Sequence, residues 1–158
     1  MDDPTIVTFG DCNIHKTAKI MPFVRIVSSH IGAECLIESF SYIYQASIDE
    51  HTKIMGHVFI PAGVQIGKHC FIGQGTMFVN TKYPDRGHDV FDFSDQYRSA
   101  RTYVKDCVVI GANCTIGTDI VIGEGSFIGM GSVVTKSVPA YSLAYGVPAK
   151  VVKRLAKV

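Results

Sequence analysis

Ile110-Gly-Ala-Asn-Cys-Thr, Ile116-Gly-Thr-Asp-Ile-Val, Ile122-Gly-Glu-Gly-Ser-Phe and Ile128-Gly-Met-Gly-Ser-Val run on without a break, and their recurrence every six residues decides the fold. An aliphatic side chain opens each unit, glycine follows it, and the fifth position is small or β-branched. Carried outward, the register places anchors from Ile14 through Phe78 and again from Val104 through Val134, eighteen hexapeptides in all. Period six is neither the 3.6 of an amphipathic helix nor the alternation of a half-buried strand. A coil with three flat sides and a corner in every hexapeptide satisfies it. The anchor then points into a narrow interior, and the fifth residue points inward where only a small group fits at protein packing density. Seven anchors precede glycine directly, which suits a tight corner. β-branched residues fill the short flanking strands.

Eighteen units at three per turn predict about six triangular turns, a prism roughly 29 Å tall at about 4.8 Å per strand layer. The cysteines fit this frame. Cys35, Cys70 and Cys114 fall at the fifth position, as does Cys12 if Thr8 opens a weak first unit, so they read as small core fillers. Five widely spaced cysteines without a CxxC pair argue against a disulfide framework or zinc site. Buried reduced thiols agree with a cytoplasmic location.

Of 158 residues, 47% are apolar and 18% charged, which excludes a disordered chain. Fifteen basic and fourteen acidic side chains leave +1, no footprint for nucleic acid or an anionic membrane surface. The opening Met1-Asp-Asp-Pro-Thr-Ile-Val-Thr-Phe-Gly-Asp lacks the apolar run of a secretory signal, and no apolar stretch is long enough to span a bilayer. The expectation is one soluble cytoplasmic domain over residues 1–158.

Breaks in a solenoid mark its functional face, because insertions map to one side. The steps from Ile26 to Ile31 and from Ile43 to Ile48 are five residues long, and the step from Phe78 to Val104 inserts twenty extra residues. All three follow the third anchor of a turn and so share one edge. The inserted loop, about 80–103, holds Lys82, Tyr83, Arg86, His88, Arg98, Arg101, four aspartates and several aromatics. Its mixture of cations and rings suits a nucleotide-bearing anion, with arginine for phosphate and a ring to stack on the base. A solvated surface excursion is the plainer alternative.

The whole pattern resembles the left-handed parallel β-helix of hexapeptide-repeat acyltransferases. The left hand is implied by that resemblance, since parallel crossovers are otherwise right-handed. Cys70-Phe-Ile-Gly-Gln-Gly-Thr-Met-Phe-Val-Asn-Thr-Lys-Tyr-Pro is similar to the segment of nucleotide-sugar N-acetyltransferases that ends a strand in two hydrophobics and asparagine. Thr102-Tyr-Val-Lys-Asp-Cys-Val-Val-Ile-Gly is similar to their restart, and Ala144-Tyr-Gly-Val-Pro-Ala-Lys to the close of coenzyme A-dependent members. Two departures stand out: Gln74 replaces a common histidine or serine, and Val147 replaces asparagine before Pro148.

The resemblance implies transfer of acetyl from acetyl-CoA, a co-substrate, to the amine of a dTDP- or UDP-linked amino sugar, for surface-glycan synthesis, in a homotrimer. No metal, nucleic acid or membrane partner is expected. An amine titrating near pH 8 is partly neutral already, so alignment and oxyanion donors matter more than a strong base. Asn80, where coil becomes loop, is the candidate to position the amine or carbonyl, and a turn-forming asparagine is its plain alternative. His57, one turn below Gln74 on an adjacent column, is the candidate general base, and a surface corner histidine its alternative. Gln74, Lys82, Tyr83, Arg86 and His88 are candidate substrate contacts. Ala112 and Gly129 are candidate backbone contacts to coenzyme A, with Lys136, Lys150 and Arg154 near its phosphates. His51 and His69 should stack at another corner, without chemistry. The end of the chain, 139–158, is expected as a cap with a short helix or tail. An O-acetyltransferase, a γ-carbonic anhydrase-type hydratase and a non-catalytic scaffold are the competing readings.

Overall fold

A computed structural model describes residues 5–81 and 101–157. Strands of two or three residues stack in parallel along three faces, consistent with the left-handed β-helix. Face A contains Val7–Phe9, Arg25–Val27, Tyr42–Tyr44, Phe59–Ile60, Met77–Phe78, Thr115–Ile116 and Val133–Val134. Face B runs from Asn13–Ile14 through Val64–Ile66 and Thr102–Val104 to Val121–Ile122. Face C runs from Lys19–Ile20 through Phe71–Ile72 and Val109–Ile110 to Phe127–Ile128, then Ser142–Gly146 and Ala149–Arg154. The edges are named AB, BC and CA after the faces they join.

The hexapeptide register explains the stack. Ile72 pairs with Ile110 and Ile110 with Ile128 on face C, while Phe78 pairs with Ile116 and Ile116 with Val134 on face A. These anchors are 0–2% exposed and form one continuous core. Small residues at the fifth position bond inward to coil carbonyls. The Ser41 Oγ donates to Met55 O at 3.0 Å, Thr76 Oγ1 to Gly111 O at 3.1 Å and Cys70 Sγ to Lys105 O at 3.1 Å. An interior this narrow admits hydroxyls and thiols only because each finds an acceptor. Cys35, Cys70 and Cys114 are buried as the register requires, Cys12 is half-buried, and Cys107 is exposed. Gly111 is required by close approach: a Cβ there would lie 2.6 Å from the Met130 amide nitrogen.

Two expectations are corrected. The solenoid has about seven turns rather than six, because Val7–Phe9 adds a rung below Arg25–Val27 and Ser142–Gly146 adds one above Phe127–Ile128. Thr8 and Ala144 hold those anchor positions, and neither is the large aliphatic residue that the count relied on. The end of the chain is no helix: Ala149–Arg154 turns back antiparallel on Ser142–Gly146. An uncapped last rung would expose unpaired edge groups, and β-branched Val151 and Val152 suit the strand that covers them.

The irregular steps do share one edge. Both five-residue steps and the insertion pass from face A to face B, at edge AB. The insertion leaves after Thr81 and rejoins at Arg101. Lys82, Tyr83, Arg86 and His88 lie outside the described residues.

Candidate active site

Edge CA is a regular column of corners. Phe40 N donates to Phe23 O, His57 N to Ser39 O, Gly75 N to Gly56 O, Asn113 N to Gln74 O and Gly131 N to Ala112 O, at 2.8–3.2 Å. Phe23, Phe40, His57, Gly75, Asn113 and Gly131 all take positive φ, between 55° and 70°. Repeating one corner conformation on every rung points equivalent side chains the same way. His57 therefore lies one turn below Gln74 on the neighbouring column, where the sequence places it.

Between those corner residues sit Gln74, Ala112 and Met130. Among the described residues their backbone N–H groups make no hydrogen bond, whereas the N–H groups of Gly73, Gly111 and Gly129 donate to Ile110, Ile128 and Ala144 carbonyls at 2.8–2.9 Å. The coil thus presents free donors at successive rungs above His57, spaced about 4.8 Å apart. Ala112, a candidate backbone contact, is one of these donors. The Gly129 N–H is used within the coil, and its carbonyl accepts the Ser132 hydroxyl and the Cys114 thiol.

The His57 imidazole is exposed and makes no hydrogen bond to a described residue, but lies flat on Phe40, with ring centroids 5.0 Å apart and planes 17° apart. Phe40 in turn stacks on Phe23 at 5.3 Å and 4°. Sequence reasoning missed this ring column, although the spacing of Phe23, Phe40 and His57, one coil apart each time, carries it. It also missed Asn113, whose amide oxygen occupies the place where a side chain on Gly75 would begin.

Asn80 belongs to a different edge. It is half-buried at edge AB, where the insertion departs, and among the described residues its Oδ1 accepts a long 3.5 Å contact from Thr81 Oγ1. Its neighbours Val79 and Thr81 line a cavity of about 210 Å³ with Thr115, Thr118, Val133 and Thr135. Larger concavities of about 390 and 450 Å³ lie around His30 and hold none of the residues singled out by the sequence. His57 and Asn80 stand at opposite edges of face A, so one protomer alone does not bring them together.

The three candidate phosphate ligands are separated as well. Lys136 is exposed just past Val134 at edge AB. Lys150 pairs with Tyr145 at the edge CA end of the closing hairpin. Arg154 pairs with Ser142 at the BC end, where its Nη1 donates to Ala140 O at 2.8 Å. Only Lys150 shares an edge with Ala112 and Met130. His51 and His69 do stack, at edge BC, 4.8 Å apart and 1° from parallel. Beside them Lys68 Nζ lies 2.9 Å from Glu50 Oε1, and this pairing holds the Glu50 carboxyl below its ordinary value. Among the described residues no group of three His, Cys, Asp or Glu side chains could hold a metal ion.

Residues 101–136 match the family model described as bacterial transferase hexapeptide (six repeats). The bifunctional protein GlmU of Alkaliphilus metalliredigens is 32% identical over 140 residues, covering 88% of this chain and 28% of its own length. The chain thus spans about a quarter of the curated relatives it matches. Among solved structures, AntD, an N-acyltransferase from Bacillus cereus in complex with dTDP and 3-hydroxybutyryl-CoA, superimposes with a TM-score of 0.69 at 21% identity, over 96% of this chain and 84% of that one. PerB from Caulobacter crescentus, in complex with CoA and GDP-perosamine, gives a TM-score of 0.55 at 18% identity, over 95% of this chain and 55% of that one. These structures share the fold. The six-residue period, the three parallel faces and the match over residues 101–136 together make this chain a hexapeptide-repeat β-solenoid.

Proposed function

We propose that the chain is an acyl-CoA-dependent N-acyltransferase, moving acetyl from acetyl-CoA to the ring amine of a dTDP- or UDP-linked amino sugar for surface-glycan synthesis in the cytoplasm. The observation that carries this reading is the ladder of free N–H donors at Gln74, Ala112 and Met130, rising from His57 along edge CA. A pantetheine arm is extended, carries amide carbonyls and ends in a thioester, so it matches a line of regularly spaced donors. The complexes of AntD with dTDP and 3-hydroxybutyryl-CoA and of PerB with CoA and GDP-perosamine support the choice of donor and acceptor class.

The chemistry follows from those groups. The neutral amine attacks the thioester carbonyl, the C–S bond breaks, and the amine proton passes to His57 and on to the departing coenzyme A sulfur. A backbone donor facing the carbonyl oxygen stabilises the oxyanion, a contribution of about 3 kcal/mol in comparable sites. Asn80 orients the amine, and Lys82, Tyr83, Arg86 and His88 contact the nucleotide. Lys150 is the phosphate ligand best placed to serve an arm on edge CA.

We infer a homotrimer, in which edge AB of one protomer meets edge CA of the next, so that Asn80 and His57 share a site. Supporting this, the exposed apolar residues Met21, Phe23, Phe40 and Met130 lie along edge CA and Met77 on face A. Face B presents Asn13, His30, Ser47 and Gln65, with Val121 its one large exposed apolar residue among the described residues. Closed cyclic symmetry is the ordinary way to cover such a strip.

The test combines acetyl-CoA with a panel of dTDP- and UDP-amino sugars and follows product mass and thiol release. Asn80→Ala should lower turnover at least tenfold and leave the melting temperature within about 2 °C, since among the described residues its side chain makes one long contact. Acetylation of a sugar hydroxyl in place of the amine, or no stabilisation of the fold by millimolar acetyl-CoA, would overturn the proposal.

A further inference from the structure

A histidine that works as a base is usually held by a hydrogen bond to its second ring nitrogen, often from a carboxylate or carbonyl. His57 has no such partner among the described residues. What it has is a ring beneath it. Phe23, Phe40 and His57 share nearly one backbone conformation, with φ of 64°, 63° and 60°. Their Cα–Cβ bonds therefore project in parallel from edge CA, and the rings stack at the spacing of the rungs. The stack ends above His57, because the next corner is Gly75. That glycine has φ +70° and no side chain, and Asn113 reaches down from the rung beyond. One face of the imidazole is thus packed on Phe40, and on its other side the next corner carries no ring, only the Asn113 amide beside Gly75.

We propose that Phe40 is a positioning residue: its ring, backed by Phe23, fixes the plane of the His57 imidazole and aims its nitrogens at the amine, in the role a hydrogen-bonded carboxylate has elsewhere. This rests on the reading of His57 as the base. Both phenylalanines are 56% exposed, so their rings lie at the surface of edge CA beside His57 and not in the core. The geometric demand is strict: a base misdirected by rotation about one bond loses much of the contribution that proton transfer makes. Phe40 touches no substrate in this scheme and acts only through His57.

The experiment compares wild type with Phe40→Leu, Phe40→Ala, Phe40→Tyr and His57→Gln in the acetyl-CoA assay. Leucine fills the space without a flat face, and tyrosine restores the face. Phe40→Leu and Phe40→Ala should lower kcat about tenfold with KM for both substrates within about twofold, and Phe40→Tyr should return kcat to within about twofold of wild type. His57→Gln should lower kcat further than either. In proton NMR, the His57 ring protons should move downfield in Phe40→Leu, as the ring current of Phe40 is lost, and this readout needs no turnover. If His57→Gln leaves kcat unchanged, the assignment of the base fails. If His57→Gln is impaired while Phe40→Leu keeps wild-type kcat, or the His57 ring protons do not move, the positioning role is refuted and the base stands. Should Phe40→Ala unfold, the leucine and tyrosine pair decides.

Discussion

Raising pH should destabilise this solenoid through its buried thiols, and Cys70 shows how much. Its side chain is 2% exposed in the middle of the coil, with Sγ donating to Lys105 O at 3.1 Å. Burial pushes the thiol from 9.0 up to about 11. The folded value lies above the unfolded one, so the contribution is whole below about pH 9. It is lost as pH rises through 11, because the unfolded chain ionises first. At about pH 10.5 the unfolded thiol is ionised some 25-fold more favourably, which is about 2 kcal/mol, and the limit above pH 11 is roughly 3 kcal/mol. Cys35 and Cys114 are raised by burial too and act in the same direction. The assay is urea unfolding of wild type and Cys70→Ala, under reducing conditions, at about pH 8 and pH 10.5. The small cavity left by alanine costs the same at both values and cancels. Wild type should lose about 2 kcal/mol more than the variant between them. Equal losses would refute the assignment of a buried, neutral Cys70.

Two further outcomes test the packing. Ile110→Ala removes a fully buried anchor in the middle of face C and should cost about 2–5 kcal/mol by calorimetry or denaturant, a loss under 1 kcal/mol showing that the interior can collapse around it. Gly111→Ala puts a Cβ 2.6 Å from the Met130 amide nitrogen, whereas a Cβ on Gly131 meets nothing within 4 Å. Both positions can be compared by melting temperature, and Gly111→Ala should be the more damaging although Gly131 alone of the two has a positive φ, +69°.

The legible part of the fold was the part that repeats. Anchors such as Ile72 and Ile110 identify the coil because each one stands inside for the same steric reason, and the five-residue steps located edge AB before any coordinate did. Thr8 and Ala144 were not read as full anchors because their side chains carry little of the hydrophobic signal, although hydrogen bonding along the rungs places them as firmly as the isoleucines. The closing strand was misread as a helix or tail for a related reason. Lys150 through Arg154 has no neighbour in the repeat to give it a period, and only the unpaired edge of Ser142–Gly146 determines what it becomes.

The candidate site divides along the same line. Sequence position sufficed to put Gln74 and Ala112 on one column of edge CA with His57 on the neighbouring one, and to put Asn80 at the root of the insertion, since both follow from counting in sixes. It also sufficed for the stacked pair His51 and His69. What counting could not supply is direction. Whether an N–H at a corner is used by the coil or left free depends on how each peptide is turned. Only in three dimensions is the Gly129 N–H seen to be bonded and the Met130 N–H, among the described residues, to be free. Likewise Lys136, Lys150 and Arg154 are close in sequence yet occupy three different edges, because the chain turns from face A to face C after Lys136 and the closing strand then carries Lys150 and Arg154 at opposite ends of face C. The periodic, short-range physics of hexapeptide packing is written in the sequence. Which polar groups are left unsatisfied and how rings face one another are set by the stacking of distant coils.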